Sequence, residues 1–215
     1  MEAGTSSERR FEPAAGRTAA EREQFISTPI ADPGPLGLAA FALTTFVLSM
    51  FNSGLVSSAG EPIVFGLALT YGGLAQLLAG MWEFRTGNTF GAVAFTSYGA
   101  FWLSFWAFVQ FFEKSVPKGD AGHAVGLFLI AWGIFTAYMF IASLRTTAAV
   151  SLVFILLAVT FFLLGIGNAG AHPNIVKAGG WVGLATAVAA WYASFAAVTN
   201  STFGRTVMPV RPLNR

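Results

Sequence analysis

Six stretches of this chain, about 35–57, 61–82, 89–111, 123–143, 147–168 and 179–200, stay apolar for some twenty residues each. About twenty residues of helix cross a hydrocarbon core of roughly 30 Å. Lipid offers no hydrogen bonds to the backbone, so segments of this length and composition must be helices. The reading is an all-α membrane protein with six transmembrane helices, joined by loops so short that consecutive helices should be antiparallel neighbours. Charge agrees: 10% of residues are charged and 55% hydrophobic, where a soluble domain has about 25% charged. The absence of cysteine excludes disulfides and thiolate metal sites.

The ends are polar. Residues 1–30 hold no apolar run and read as a disordered cytoplasmic tail, with at most a short amphipathic helix around Thr18–Ile26. Residues 31–204 form the six-helix domain, and 205–215 a second cytoplasmic tail. With both termini inside, Arg9, Arg10, Arg17, Arg22, Arg85, Arg145, Arg205, Arg211 and Arg215 face the cytoplasm. Lys114, Lys118 and Lys177 face outward, nine basic residues against three. Dropping the distant Arg9 and Arg10 leaves seven against three, the same sign, as expected for a cell-membrane protein. The basic residues lie at the ends and in loops, so no nucleic-acid surface is drawn.

The stretch from Tyr71 to Phe111 organises the chain. Gly66, Gly73 and Gly80 recur every seven residues, which on a regular helix puts them on one face where a neighbouring backbone can approach. A polar turn follows, with Glu83, Arg85, Gly87, Asn88 and Thr89. Gly87 can end one helix and Asn88 cap the next. Glu83 and Arg85 read as a surface pair or as part of a gate. The following helix is uncharged yet carries Thr96, Ser97 and Tyr98 at depth. GLALTYGG, GLFLIAWG and Gly183 suggest a repeat of about 60 residues, hence three parallel hairpins.

In the first helix, Asp32 is placed to cap and Pro33 to sit in the first turn; the same helix start could face an anion with its free N–H groups. Thr44 and the stripe Thr45, Ser49 and Asn52 serve either as glue between helices or as the wall of a wet path. Gln76 is the amide well inside the second helix. Glu61, Glu83, Glu113 and His123 fall near segment ends, so no buried ionisable relay is drawn. Asn168 reads as a C-cap and His172-Pro173 as a turn. Asn200-Ser201-Thr202 fits the glycosylation pattern but lies on the cytoplasmic side. Trp82 and Trp181 suit an interfacial belt, and Trp102, Trp106, Trp132 and Trp191 suit packing. No nucleophile with a base, carboxylate pair, phosphate loop, metal cluster or cofactor motif is present, so enzyme chemistry is not expected.

Three stretches together resemble the acetate uptake transporter (succinate–acetate permease) family: DPGPLGLAAFALTT, the long block YGGLAQLLAGMWEFRTGNTFGAVAFTSYGAFWLS, and WGIFTAYMF with GIGN and FGRTVMPV. The similarity spans about residues 31–210. It implies a six-helix protomer in a homohexamer, each protomer with its own path for acetate and similar monocarboxylates, with succinate in some members. It places a hydrophobic constriction on Phe41, Tyr98 and Leu157, and a cytoplasmic mouth at Glu83, Asn88 and Thr89. The first-helix motif falls on Asp32, Pro33, Pro35 and Gly37. Asp32 stands where the family has Asn, and Gly34 where it has Ala, which bears on anion recognition. Thr44, Thr45, Asn52, Gln76, Asn88, Thr89, Thr96 and Ser97 are the candidate substrate contacts. A small carboxylic acid, with a pKa near about 4.3, is mostly anionic at neutral pH. An uncharged path with a narrow aromatic waist can pass such an ion without trapping it. An ammonium or ammonia channel and a non-transporting membrane sensor are the alternatives.

Overall fold

The computed structural model describes residues 30–213; the expectations for residues 1–29 lie outside them. Among the described residues, six helices are long and apolar enough to span a membrane: α1 Gly34–Asn52, α2 Ile63–Thr86, α3 Thr89–Ser115, α4 Ala121–Ser143, α5 Ala148–Ala169 and α6 Pro173–Phe203. The chain is a multi-pass membrane protein. Its outer surface is apolar: Leu127, Ile134, Tyr138 and Ile141 of α4 all project outward, as lipid or a second apolar surface requires.

The ends of the helices follow local chemistry. Gly87, with φ at 79°, closes α2 in the left-handed conformation, which a residue without Cβ adopts readily. Asn88 then caps α3, its side chain accepting from the Gly91 N–H at 3.1 Å. Asp32 acts one residue earlier than expected. Pro33 is the cap residue and leaves no side-chain bond, while Asp32 Oδ1 accepts from the Gly34 N–H at 2.9 Å. Two bounds differ from the apolar stretches. α1 stops at Asn52, because Gly54 turns the chain at φ 79° and Ser57 starts a short 3₁₀ turn. α6 begins earlier, at Pro173, which fits the first turn of a helix since it lacks an N–H there; His172-Pro173 is therefore a helix start. Asn168 lies within the last turn of α5, donating to Leu164 O at 2.8 Å, with Gly170 as the cap.

Two helices are not regular. α2 carries a π-helical turn at Thr70–Ala75, and α3 another at Phe108–Phe112. The first breaks the seven-residue glycine register. A Cβ on Gly80 would strike the backbone and hydroxyl of Thr96 on α3, and one on Gly73 would strike the Leu103 side chain at 2.7 Å. One on Gly66 meets nothing within 4 Å. The surplus residue of the π turn rotates the first part of α2 away from the face that Gly73 and Gly80 share. Gly66 thus also drops out of the proposed repeat, whereas Gly126 abuts α5 and Gly183 abuts Ser49 of α1.

Closest backbone pairings are α4 with α5, α1 with α6, α5 with α6, and α2 with α3. Small residues permit them: a Cβ on Gly180 of α6 would collide with the backbone of Asn52 and Ser53, and one on Gly37 of α1 would press 2.6 Å from the Phe95 ring of α3. Consecutive helices are not all close neighbours. The α3 and α4 backbones stay apart because bulky rings fill the gap, Phe101 lying 5.4 Å from Phe128 and 5.3 Å from Trp132 between centroids.

Gly80→Ala should lower stability by about 1–3 kcal/mol, as forced overpacking does, while Gly66→Ala should be neutral or mildly stabilising. Thermal unfolding of the detergent-purified variants, compared side by side, checks the difference.

Candidate functional site

Two cavities enter the bundle from opposite ends. The first vestibule, about 330 Å³, is lined by Asp32, Pro35 and Leu38 at the start of α1, Glu83 at the end of α2, and Asn88 and Ala94 of α3; Phe154 of α5 closes its floor. The second, about 420 Å³, is lined by Asn52 at the end of α1, Glu61, Phe101, Glu113 and Leu164, with Asn168 at the end of α5. Among the described residues, neither has a Lys or Arg in its lining.

Between them lies a tight apolar plug. Phe41, Tyr98 and Leu157 are each 5% exposed or less and belong to one buried cluster with Phe101, Phe154 and Phe161. Rings surround Tyr98 on every side: Phe41 at 5.9 Å, Phe135 edge-on at 5.4 Å, Phe154 at 6.1 Å and Phe161 stacked at 6.5 Å. Tilted and edge-on rings are the favoured arrangements. The three residues that the resemblance assigned to a constriction therefore sit together where the two cavities stop.

A phenol buried this deeply needs a partner. Tyr98 finds it in Thr136 of α4, oxygen to oxygen 2.9 Å. Thr136 already donates to Trp132 O at 2.7 Å, and a hydroxyl has one hydrogen, so Tyr98 is the donor. A second hydroxyl pair, Thr160 of α5 and Thr186 of α6, lies 3.2 Å apart. Each also reaches a carbonyl one turn back, Leu156 O and Val182 O respectively. To bond to each other, one must release its carbonyl. Sequence reasoning missed Thr136, Thr160 and Thr186, although a lone threonine in an apolar run was a signal.

The other candidates divide. Thr44 spends its hydroxyl on Ala40 O at 2.9 Å. Thr45, Gln76 and Thr96 bury polar side-chain atoms without a protein partner, both amide atoms in the case of Gln76. Thr96 abuts Gly80 and Thr44 abuts Gly72, so Gln76 lies between those two contacts on the inward face of α2. Thr89, Ser97 and Arg85 line neither cavity, and Pro33 and Gly37 serve the turn and packing of α1. Glu83 is not half of a surface pair. It is 1% exposed, with Oε2 accepting from the Thr86 hydroxyl at 3.1 Å and Oε1 without a hydrogen-bond partner among the described residues. Arg85, two residues on, is exposed and points elsewhere.

In the second vestibule, Glu61 sits in the loop before α2, outside the spans. Burial, and then the nearby Glu113 carboxylate, push its carboxyl above the ordinary 4.5.

A model of the GPR1/FUN34/yaaH family matches residues 15–215. Acetate permease A of Emericella nidulans is 46% identical over 195 residues, covering 84% of this chain and 65% of that protein. The succinate-acetate/proton symporter SatP of Escherichia coli is 39% identical over 184 residues, covering 86% of this chain and 97% of that protein. The solved structure of the bacterial acetate channel SatP superposes with a TM-score of 0.79 at 38% identity, over 85% of this chain and 99% of that one.

Thr136→Val leaves the Tyr98 hydroxyl buried and unpaired and should cost about 1–3 kcal/mol, more than Tyr98→Phe, after which Thr136 still bonds Trp132 O; thermal melts of the two variants rank them. For Glu61 the raised folded value means the folded state holds the proton more firmly than the unfolded one. Its contribution is full below 4.5 and is lost as pH rises through the raised value. The melting temperature should show this decline with rising pH, and Glu61→Gln should flatten it.

Proposed function

Because the chain belongs to the GPR1/FUN34/yaaH family, we propose that it is a membrane transporter or channel for acetate and related small monocarboxylates, with succinate as a second class of substrate. The observation that carries this is the pair of vestibules, open at opposite ends of a single chain and divided by the Phe41, Tyr98 and Leu157 plug. A small acid loses its water at that plug. The Thr45 hydroxyl beside it is unpartnered among the described residues, and those of Tyr98, Thr136, Thr160 and Thr186 turn from their present acceptors to replace part of the shell. Among the described residues neither vestibule presents a fixed cation, so the ion is met there without being held, which permits release.

Asp32 and Glu83 put carboxylates at the first mouth, and Glu61 and Glu113 at the second. Carboxyl groups at both ends disfavour entry of a lone anion and favour movement of acid and proton together. That agrees with a relative described as a proton symporter. Asp32, in place of the family's Asn, adds to this bias. In this reading the chain assembles as a homohexamer in the plasma membrane with both termini cytoplasmic, so the Asp32 and Glu83 mouth faces the cell interior. Gln76 and Thr96 flank the waist, Asn88 lies on its inner approach, and Asn52 on the outer.

Labelled acetate should enter proteoliposomes holding only this protein, faster with an inward proton gradient than without. Uptake that matches protein-free liposomes, or methylammonium passage without acetate, removes the proposal. Tyr98→Ala should open the waist, so that bulkier monocarboxylates enter several-fold faster; unchanged acetate flux and unchanged selectivity would sink the waist assignment.

A further inference from the structure

The chain does not trail away after α6. Gly204, at φ 62°, turns it back, and the following residues run alongside the end of the same helix. One side chain holds them by three hydrogen bonds. Asn200 Oδ1 accepts from the Val207 N–H at 2.7 Å and the Met208 N–H at 2.8 Å, and Nδ2 donates to Met208 O at 2.8 Å. The Tyr192 hydroxyl donates to Pro209 O at 2.7 Å. The segment then crosses to α5. The Ala148 N–H donates to Arg211 O at 2.9 Å, the Ala149 N–H to Val210 O at 3.4 Å, and the Leu213 N–H to Thr146 O at 2.8 Å. Two otherwise unpaired amides of the α5 start are thus satisfied by the chain's own end. Three of the four hydrogen bonds open to the Asn200 amide are made to this segment, so the residue that fits the glycosylation pattern serves this contact.

Position gives the segment a consequence. Val210 lines the first vestibule. It also lines, with Pro209 and Arg211, a separate lateral groove of about 950 Å³ between α5 and α6, whose other walls include Leu152, Trp181 and Val188. The strap therefore stands between the two spaces. We propose that residues 205–213 form a releasable side wall of the vestibule, latched by Asn200, which keeps the substrate route from opening sideways into the apolar groove. A wall held mainly by polar bonds at the protein's edge can detach without unfolding the bundle. Its importance for transport rests on the function proposed above; the wall itself does not.

The sequence has no cysteine, so Ala197→Cys places a single thiol in the vestibule lining. In the purified full-length protein, adding Asn200→Ala should speed labelling of that thiol by a soluble maleimide about tenfold, since three hydrogen bonds go. Trypsin cleavage after Arg205 should accelerate in parallel and report the release. Tyr192→Phe, which removes one bond and little packing, should give a smaller rise in both. Faster cleavage with unchanged labelling would show that the strap is no wall. Unchanged cleavage in Asn200→Ala would show that Asn200 is no latch. Neither readout uses acetate flux, so the failure of the wall and the failure of the transport reading are told apart.

Discussion

The hydroxyl of Tyr98 is the polar atom on which the centre of this bundle depends. It lies where water is excluded, so it must be paired from within, and only α4 supplies a partner. That bond and the rings packed around the phenol together hold it in place. The plug is apolar on its faces and polar at one edge, which in the function proposed above suits a solute that is itself half methyl and half carboxyl.

Two opposite packing devices hold the rest in place. Where helices must approach, side chains are withdrawn, as at Gly80 against Thr96 and Gly180 against Asn52. Where helices stand further apart, large rings fill the space, as between α3 and α4. Without a hydrophobic force between helices in lipid, such shape complementarity carries the association.

Much of this was legible beforehand. Apolar length alone gave six helices, because lipid leaves the backbone one solution, and Gly87 with Asn88 marked a turn by their conformational preferences. Glu83 stayed open between a surface pair and part of a gate because spacing cannot tell which side of a helix end faces a cavity. Gly66 was misread because periodicity presumes a regular helix. Thr136 escaped notice because its value comes from Tyr98, 38 residues away in sequence, and no local pattern encodes a partner at that distance. The strap escaped for the same reason: Asn200 matched a short surface motif, while its true contacts follow a chain reversal.

The π turn of α2 has a consequence of its own. It lodges one residue more than an α-helix needs, so the stretch before it is phased about 100° from the stretch after it. The two halves of one rod can thereby be addressed to different surroundings: Gly72, Gly73, Gln76 and Gly80 to the interior, Ile63 and Gly66 to the outside. Removal of a single residue between Thr70 and Ala75 would leave every contact of the later half untouched and swing the earlier half round like a dial, carrying the loop with Glu61 away from the second vestibule.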